Sequence, residues 1–242
     1  MKTIVTFTIL LFAISPITFA QSVLDYQTGT VVVIEAGADV CADDININGE
    51  FSGGGTICGA AAYVFNLTAF IQGFYNPSTN SMISDTVTVY LRNASSPFAI
   101  IDSSKNLLST SGIGTFIFSN VTNGTNYYIV LKHRNSIETW SSSGNAFVSG
   151  SLVYNFTTAA NTAYGSNQIQ VDITPVRFAI YNGDVNQDGV VDGSDAALID
   201  NDAFNFVTGY EVTDLTGDLV TDGSDALIAD NNAYNFVSKI TP

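Results

Sequence analysis

Two stretches of this chain place oxygen-bearing side chains at the same five positions of a twelve-residue frame, thirty residues apart. Asp184, Asn186, Asp188, Asp192 and Asp195 fill positions 1, 3, 5, 9 and 12 of the first frame, and Asp214, Thr216, Asp218, Asp222 and Asp225 fill them in the second. The segment after each frame also repeats: Asp-Gly-Ser-Asp-Ala spans the end of the frame, and Ala-aromatic-Asn-Phe-Val closes the unit at Val207 and again at Val237. Such self-similarity marks a duplicated structural unit. Its chemistry points to a hard cation. Calcium takes about 6–8 oxygens at roughly 2.3–2.6 Å, and a twelve-residue loop supplies them from alternate side chains, a backbone carbonyl at position 7 and a carboxylate at position 12. The position-7 carbonyls here belong to Val190 and Val220. Magnesium is a poorer match, because it keeps several waters in a rigid octahedron.

The two loops are not equal. Gly189 stands at position 6 of the first, where a glycine tolerates the positive φ of a sharp turn. Leu219 stands there in the second, so a Cβ must be accommodated, and Thr216 is a weaker ligand than Asn186. Two calcium ions are therefore expected, the second held less tightly. An Asp-rich turn on a solvated face would be the plainer reading, but it leaves the matched spacing unexplained.

Acid is concentrated in this part of the chain. Eleven aspartates and Glu211 lie between residues 183 and 242, so 12 of the 22 acidic residues occupy the last quarter, beside one base, Lys239. The whole chain carries a formal charge of −15. That balance excludes nucleic acid and anionic membrane surfaces as partners.

The N-terminus reads as an export signal. Lys2 precedes an apolar run from Ile4 to Ala13, Pro16 breaks it, and Thr18-Phe19-Ala20 offers a small-x-small cleavage site. The apolar run is too short to span a bilayer. Residues 1–20 are thus expected to be removed and the remainder to be secreted, extracellular or at the cell surface. In an exported chain the two cysteines, Cys41 and Cys58, are expected to form a disulfide, closing a loop worth roughly 3 kcal/mol.

Residues 21–60 read as short strands with glycine turns, stapled by that disulfide and packing on the next segment. Residues 61–181 are strand-like throughout. Apolar and polar residues alternate in Tyr63–Ile71 and in Thr86–Leu91, β-branched and aromatic residues fill Thr115–Phe118 and Tyr127–Leu131, and Asn76-Pro77, Gly112 and Asn123-Gly124 supply turns. No window carries a helical period. The fold class expected is mainly β, an antiparallel sandwich of roughly seven strands, followed by a small α loop–helix domain at 182–242. The run from Gly114 to Val130 resembles the corner of transthyretin-like and carboxypeptidase-regulatory-like sandwiches, and the sandwich is expected to be immunoglobulin- or transthyretin-like.

Aspartate at position 12, one helix after each loop and the tandem arrangement resemble the type I dockerin family over residues 182–238. The resemblance implies two loop–helix units about a pseudo-twofold axis. It also implies attachment to a cohesin-like partner, in a polysaccharide-degrading assembly, through positions 10 and 11 of each loop, which here are Gly193, Ser194, Gly223 and Ser224. Ser194 and Ser224 are expected to cap the helices. Leu198, Ile199, Ala203 and Phe206, with Leu227, Ile228, Ala233 and Phe236, are expected to form their apolar faces. A sandwich joined directly to such a tail also resembles short exported proteins of Bacteroidetes-type bacteria.

No nucleophile elbow, phosphate loop or histidine-rich metal motif is present. Lys132-His133-Arg134 holds the only histidine and reads as an ion-pair cluster, and Trp140, the only tryptophan, reads as core or rim. The chain is therefore expected not to be an enzyme. It is expected to be a calcium-binding interaction or assembly protein whose tail docks onto a cohesin-like protein or onto its own sandwich. The alternatives are a carbohydrate-binding module that takes polysaccharide, and a surface subunit that associates with itself.

Overall fold

The computed structural model describes residues 63–242 throughout and, within residues 1–62, only the backbone of six short strands. The chain divides into two compact units, residues 1–62 and residues 63–242.

In the first unit β1 (Val23–Tyr26), β2 (Val31–Val33) and β3 (Asp39–Cys41) are followed by β4 (Asp44–Ile47), β5 (Glu50–Ser52) and β6 (Thr56–Cys58). Pairing is parallel throughout: β1 with β4, β2 with β5 and β3 with β6. The second pass of the chain thus runs beside the first, strand for strand. Backbone register sets Cys41 opposite Cys58. The disulfide itself and the export signal lie outside the described residues.

The second unit is mainly β with two helices, and its short β8 (Tyr75–Asn76) and β9 (Ser81–Met82) pair with each other, antiparallel. One sheet has the order β11 (Ile100–Leu108), β10 (Asp85–Asn93), β13 (Asn126–Lys132) and β14 (Thr139–Trp140), with β15 (Asn145–Ala146) also on β13; every pairing in it is antiparallel. The facing sheet has β7 (Tyr63–Thr68) between β12 (Ile113–Phe118), antiparallel, and β16 (Ser151–Asn155), parallel. Alternation decides the faces. Asp85, Val87, Val89 and Leu91 of β10 point inward, as do Phe65 and Leu67 of β7 and Gly114, Phe116 and Phe118 of β12. These apolar side chains share one core with Ile129, Leu131, Phe147 and Phe156. Strand β11, Ile-Ile-Asp-Ser-Ser-Lys-Asn-Leu-Leu, has no apolar alternation because it is an edge strand with most residues exposed or half-exposed.

The chain then enters the repeat. Helix α1 spans Gly193–Phe204 and α2 spans Gly223–Tyr234. They share a small core of Val185, Ile199, Leu215 and Ala229. The units interlock reciprocally: Val191 N donates to the Val237 carbonyl (2.9 Å) and Thr221 N donates to the Val207 carbonyl (3.0 Å). Each pair maps on the other by the thirty-residue offset, which makes the two units equivalent about a pseudo-twofold axis.

Two helix expectations are corrected. The caps are Asp192 and Asp222, not Ser194 and Ser224. Each aspartate accepts from the serine amide two residues on, and Asp195 or Asp225 reaches back to the cap amide to complete a capping box. The apolar faces are also narrower than expected. Ile199 and Ala229 are buried, but Leu198 and Leu227 are exposed, and Phe206 and Phe236 are 85% and 86% exposed. Each of these phenylalanines follows the helix C-cap at positive φ, +54° and +55°, and after that left-handed step Val237 is buried and Val207 half-buried.

Candidate metal centre

Backbone conformation at the loops follows the spacing. In the first loop Gln187 (φ +61°) and Gly189 (φ +95°) take positive φ; in the second Gly217 (φ +78°) and Leu219 (φ +70°) do. Both loops therefore need positions 4 and 6 in the left-handed region, and each carries one glycine. The second loop has moved its glycine two residues upstream, so Leu219 is matched in strain by Gln187.

The position-12 carboxylates are fully buried and bind the loop backbone. Asp195 accepts from the amides of Val185 (2.9 Å), Asn186 (3.1 Å) and Asp192 (3.0 Å). Asp225 accepts from Leu215 (2.7 Å), Thr216 (2.8 Å) and Asp222 (2.8 Å). Burial pushes both carboxyls above the usual carboxylate range. At position 9, hydrogen bonds from Ser194 hold Asp192 below it. Asp188 and Asp218 at position 5, and the carbonyl residues Val190 and Val220, are exposed.

The position-1 carboxylates differ. Asp184 is 2% exposed, its Oδ2 accepts from Gly189 N (3.2 Å), and its Oδ1 is buried with no partner. Burial, then the charges of Asp195 and Asp188, push its pKa up to about 6. A buried acceptor left without a donor is unfavourable, and a cation among Asp184, Asn186, Asp188, Asp192 and Asp195, with the Val190 carbonyl, would supply what it lacks. The first loop fits calcium on that observation. Among the described residues no group of three or more His, Cys, Asp or Glu side chains is already placed to hold a metal ion.

Asp214, the equivalent residue, is fully buried with both oxygens engaged. Oδ1 accepts from Gly217 N (2.7 Å) and Thr216 Oγ1 (3.4 Å), and Oδ2 accepts from Leu219 N (3.2 Å) and Arg134 Nη2 (3.5 Å).

That arginine belongs to the sandwich and lies on a polar seam against the tail. Asp85, at the start of β10, accepts from Arg134 Nε (3.1 Å), from the Tyr210 hydroxyl and from Thr86 N, and faces His133 Nε2 at 3.0 Å. Burial raises the Asp85 carboxyl, but bonds to His133 and Tyr210 outweigh it and hold the group far below the usual range. Burial, and then Asp85, push the Tyr210 hydroxyl up to about 12. Further along the seam Asn135 Nδ2 donates to the Asp214 carbonyl (2.8 Å), Asn182 Nδ2 to the Leu215 carbonyl (2.9 Å) and Asn232 Nδ2 to the Asn182 carbonyl (2.6 Å). A Cβ on Gly73 would stand 2.1 Å from the Leu215 carbonyl oxygen, which shows how closely the two backbones approach.

Ser136, His133 and Asp85 stand in line, the residue types of a nucleophilic triad. All three are buried, and the Ser136 hydroxyl donates to Asn182 Oδ1 (2.6 Å). The group is a brace for the seam. Trp140 offers no platform for a sugar: it is 4% exposed, its Nε1 donates to Glu138 Oε1 (2.8 Å), and the Arg92 guanidinium covers its ring at 5.1 Å.

Gly193, Ser194, Gly223 and Ser224 are exposed, as a docking surface requires. Sequence reasoning missed the larger feature beyond them. Phe204 and Tyr234 are 82% and 83% exposed, so with Phe206 and Phe236 each repeat presents an aromatic pair of equal exposure at its helix end. The repeated Ala-aromatic-Asn-Phe-Val run was the signal for it.

No family model and no curated protein matches the chain. Among solved structures it is similar to a chain of a type II cohesin–X–dockerin complex from Acetivibrio cellulolyticus with a C-terminal interface mutation. The identity is 14%, the TM-score is 0.42, and 72% of this chain and 99% of that chain are covered. The N-terminal interface mutant of the same complex gives 12% identity and a TM-score of 0.38, over 72% of this chain and 97% of that one. Likenesses at this distance carry no argument about function.

Proposed function

We propose that this is an exported, non-enzymatic connector whose calcium-ordered tail docks onto a protein partner. The observation that carries the reading is the equivalence of the two exposed aromatic pairs on a duplicated unit. A small domain that keeps four aromatic rings in water, at matching places, has a use for them as contact surface. Asp200 and Asp230, exposed on the same helices, add negative charge, so the partner that fits this surface carries an apolar face and basic side chains. The calcium part rests on the spacing of both loops and on the unpartnered oxygen of Asp184. Bound there, calcium would turn mutual repulsion of the loop carboxylates into attraction to one centre.

The sandwich acts as the mount. Its seam to the tail leaves the aromatic ends free, which is why one partner of the tail is intramolecular and another can be added. A cohesin-like protein is the partner that the dockerin resemblance names, within a cell-surface or extracellular assembly.

The test has two arms. Calcium titration of the full chain should raise its melting temperature and protect residues 184–195 from amide exchange, and chelator should reverse both. A partner captured from the secreted fraction should then bind the purified wild-type chain and lose most affinity when Phe204, Phe206, Tyr234 and Phe236 are all alanine. Identical melting in calcium and chelator refutes the first part, and undiminished binding by the alanine variant refutes the second.

A further inference from the structure

We infer that the second loop is closed by Arg134 of the sandwich in place of a metal, so that the tail takes one calcium ion and not two. The inference rests on the calcium reading of the first loop and departs from it at the second.

The two position-1 aspartates are the same residue in the same frame, yet they have different partners. Asp184 keeps one buried oxygen without a donor. Asp214 has none to spare. One of its oxygens is taken by the amide of Gly217 and the hydroxyl of Thr216, and the other by the amide of Leu219 and the guanidinium of Arg134. At position 4 the Gly217 amide donates to the carboxylate at 2.7 Å.

Arg134 is held where it stands. Its Nε bonds Asp85, its guanidinium lies 4.3 Å over the Tyr210 ring and 5.4 Å over the Phe74 ring, and its side chain is 11% exposed. Its Nη1 has no partner of its own. A fixed positive charge beside a ligand carboxylate opposes a divalent cation and compensates the same negative charge the cation would. Among the described residues no basic side chain forms an ion pair with Asp184: Lys239, which lies against Gly189 of the first loop, reaches toward Glu138 at 4.0 Å. The poorer ligand Thr216 in the second loop is consistent with this, since that position need not hold a metal.

Calorimetric titration with calcium chloride and native mass spectrometry on the full chain test this. The wild type should bind one ion. Asp184→Asn should bind none, and Asp214→Asn should still bind one with affinity within about threefold of wild type. Arg134→Met should take up a second ion. In chelator, amides of residues 214–225 should stay protected while those of residues 184–195 exchange at least tenfold faster. A wild type that binds two ions within tenfold of each other overturns the inference and leaves the calcium reading intact, as does loss of an ion from Asp214→Asn. A wild type that binds none overturns the calcium reading itself.

Discussion

Replacing Phe206 and Phe236 with asparagine should stabilise the tail, although it deletes two large apolar side chains. Both residues sit at φ near +55° just past a helix C-cap. For an L-residue with a bulky side chain the left-handed region is unfavourable by roughly 1–2 kcal/mol, and asparagine tolerates it far better. Burial opposes this only slightly. The rings are 85% and 86% exposed, so about 15% of a side chain that buries ~200 Å² is at stake, or ~30 Å² and ~0.7 kcal/mol. The difference favours asparagine by about 0.5–1 kcal/mol per site. The sites are equivalent and separate, so the double variant should gain about 1–2 kcal/mol. For a unit of this size each kcal/mol shifts the melting temperature by about 2–4 °C.

Thermal unfolding in saturating calcium, followed by circular dichroism and calorimetry, measures it. The same variant should bind a captured partner more weakly than wild type. A double variant that melts below wild type would show that these rings stabilise the free chain, and the case that strain is retained there for contact would fail. Glycine at the same sites separates strain from side-chain effects. It relieves the strain but adds unfolded-state entropy, so it should gain less than asparagine.

Three other perturbations probe the seam. Gly73→Ala drives a Cβ to 2.1 Å from a backbone oxygen and 2.7 Å from Ile228 Cδ1, and should cost about 2–4 kcal/mol in urea unfolding. Asn232→Leu removes the side-chain donor of the Asn182 carbonyl and leaves Gln72 Oε1 only the Asn182 amide, and should cost about 1–3 kcal/mol by the same measurement. His133 faces Asp85, Arg134 and Ser136, and burial pushes its pKa down. A depressed folded-state pKa means that stability is full above the unfolded value, near 6.5, and is lost as pH falls through the folded one. Asp85, also depressed, adds a second loss beginning near 4. Denaturant unfolding between pH 7.5 and 3.5 at fixed calcium should show both declines, with the first absent in His133→Gln; a first decline that persists in that variant assigns it elsewhere.

The loops were legible because their chemistry is local. The thirty-residue repeat marks two equivalent loop–helix units in the order of the chain, and alternation in β10, β12 and β13 marks the sandwich. The strands of β11 and β16 were hidden, since an edge or exposed strand has no core face to declare. The caps were misread because Asp192 and Asp222 do two things, and their place in the ligand frame masked their place at the helix start. The phenylalanines were misread because helical spacing counts residues past the C-cap as if φ stayed negative. The seam was invisible for another reason. Gln72, Asp85, Arg134, Asn135, Asn182 and Asn232 are spread over 160 positions and share no period, and Asn232 in particular looks like a poor helix residue until its amide is seen bonding the Asn182 carbonyl.

That seam changes what the tail is. Sixty residues with a core of four apolar side chains are too few to fold well alone. Here the second half of the tail is held by a rigid neighbour: Asp214 gives its carbonyl to Asn135, and Asp85, Arg134 and Tyr210 fasten the approach to it. The first half has fewer such ties, with Gln187 reaching the Ser136 carbonyl (3.3 Å) and Gly183 N bonding the Asn135 carbonyl (2.8 Å). Its buried Asp184 oxygen is still unanswered. One unit is fixed by the sandwich and the other, on the proposed reading, is completed by an ion, yet both end in the same exposed aromatic pair. Calcium would then govern one of two equivalent contact surfaces, while the sandwich keeps the other ordered at all times.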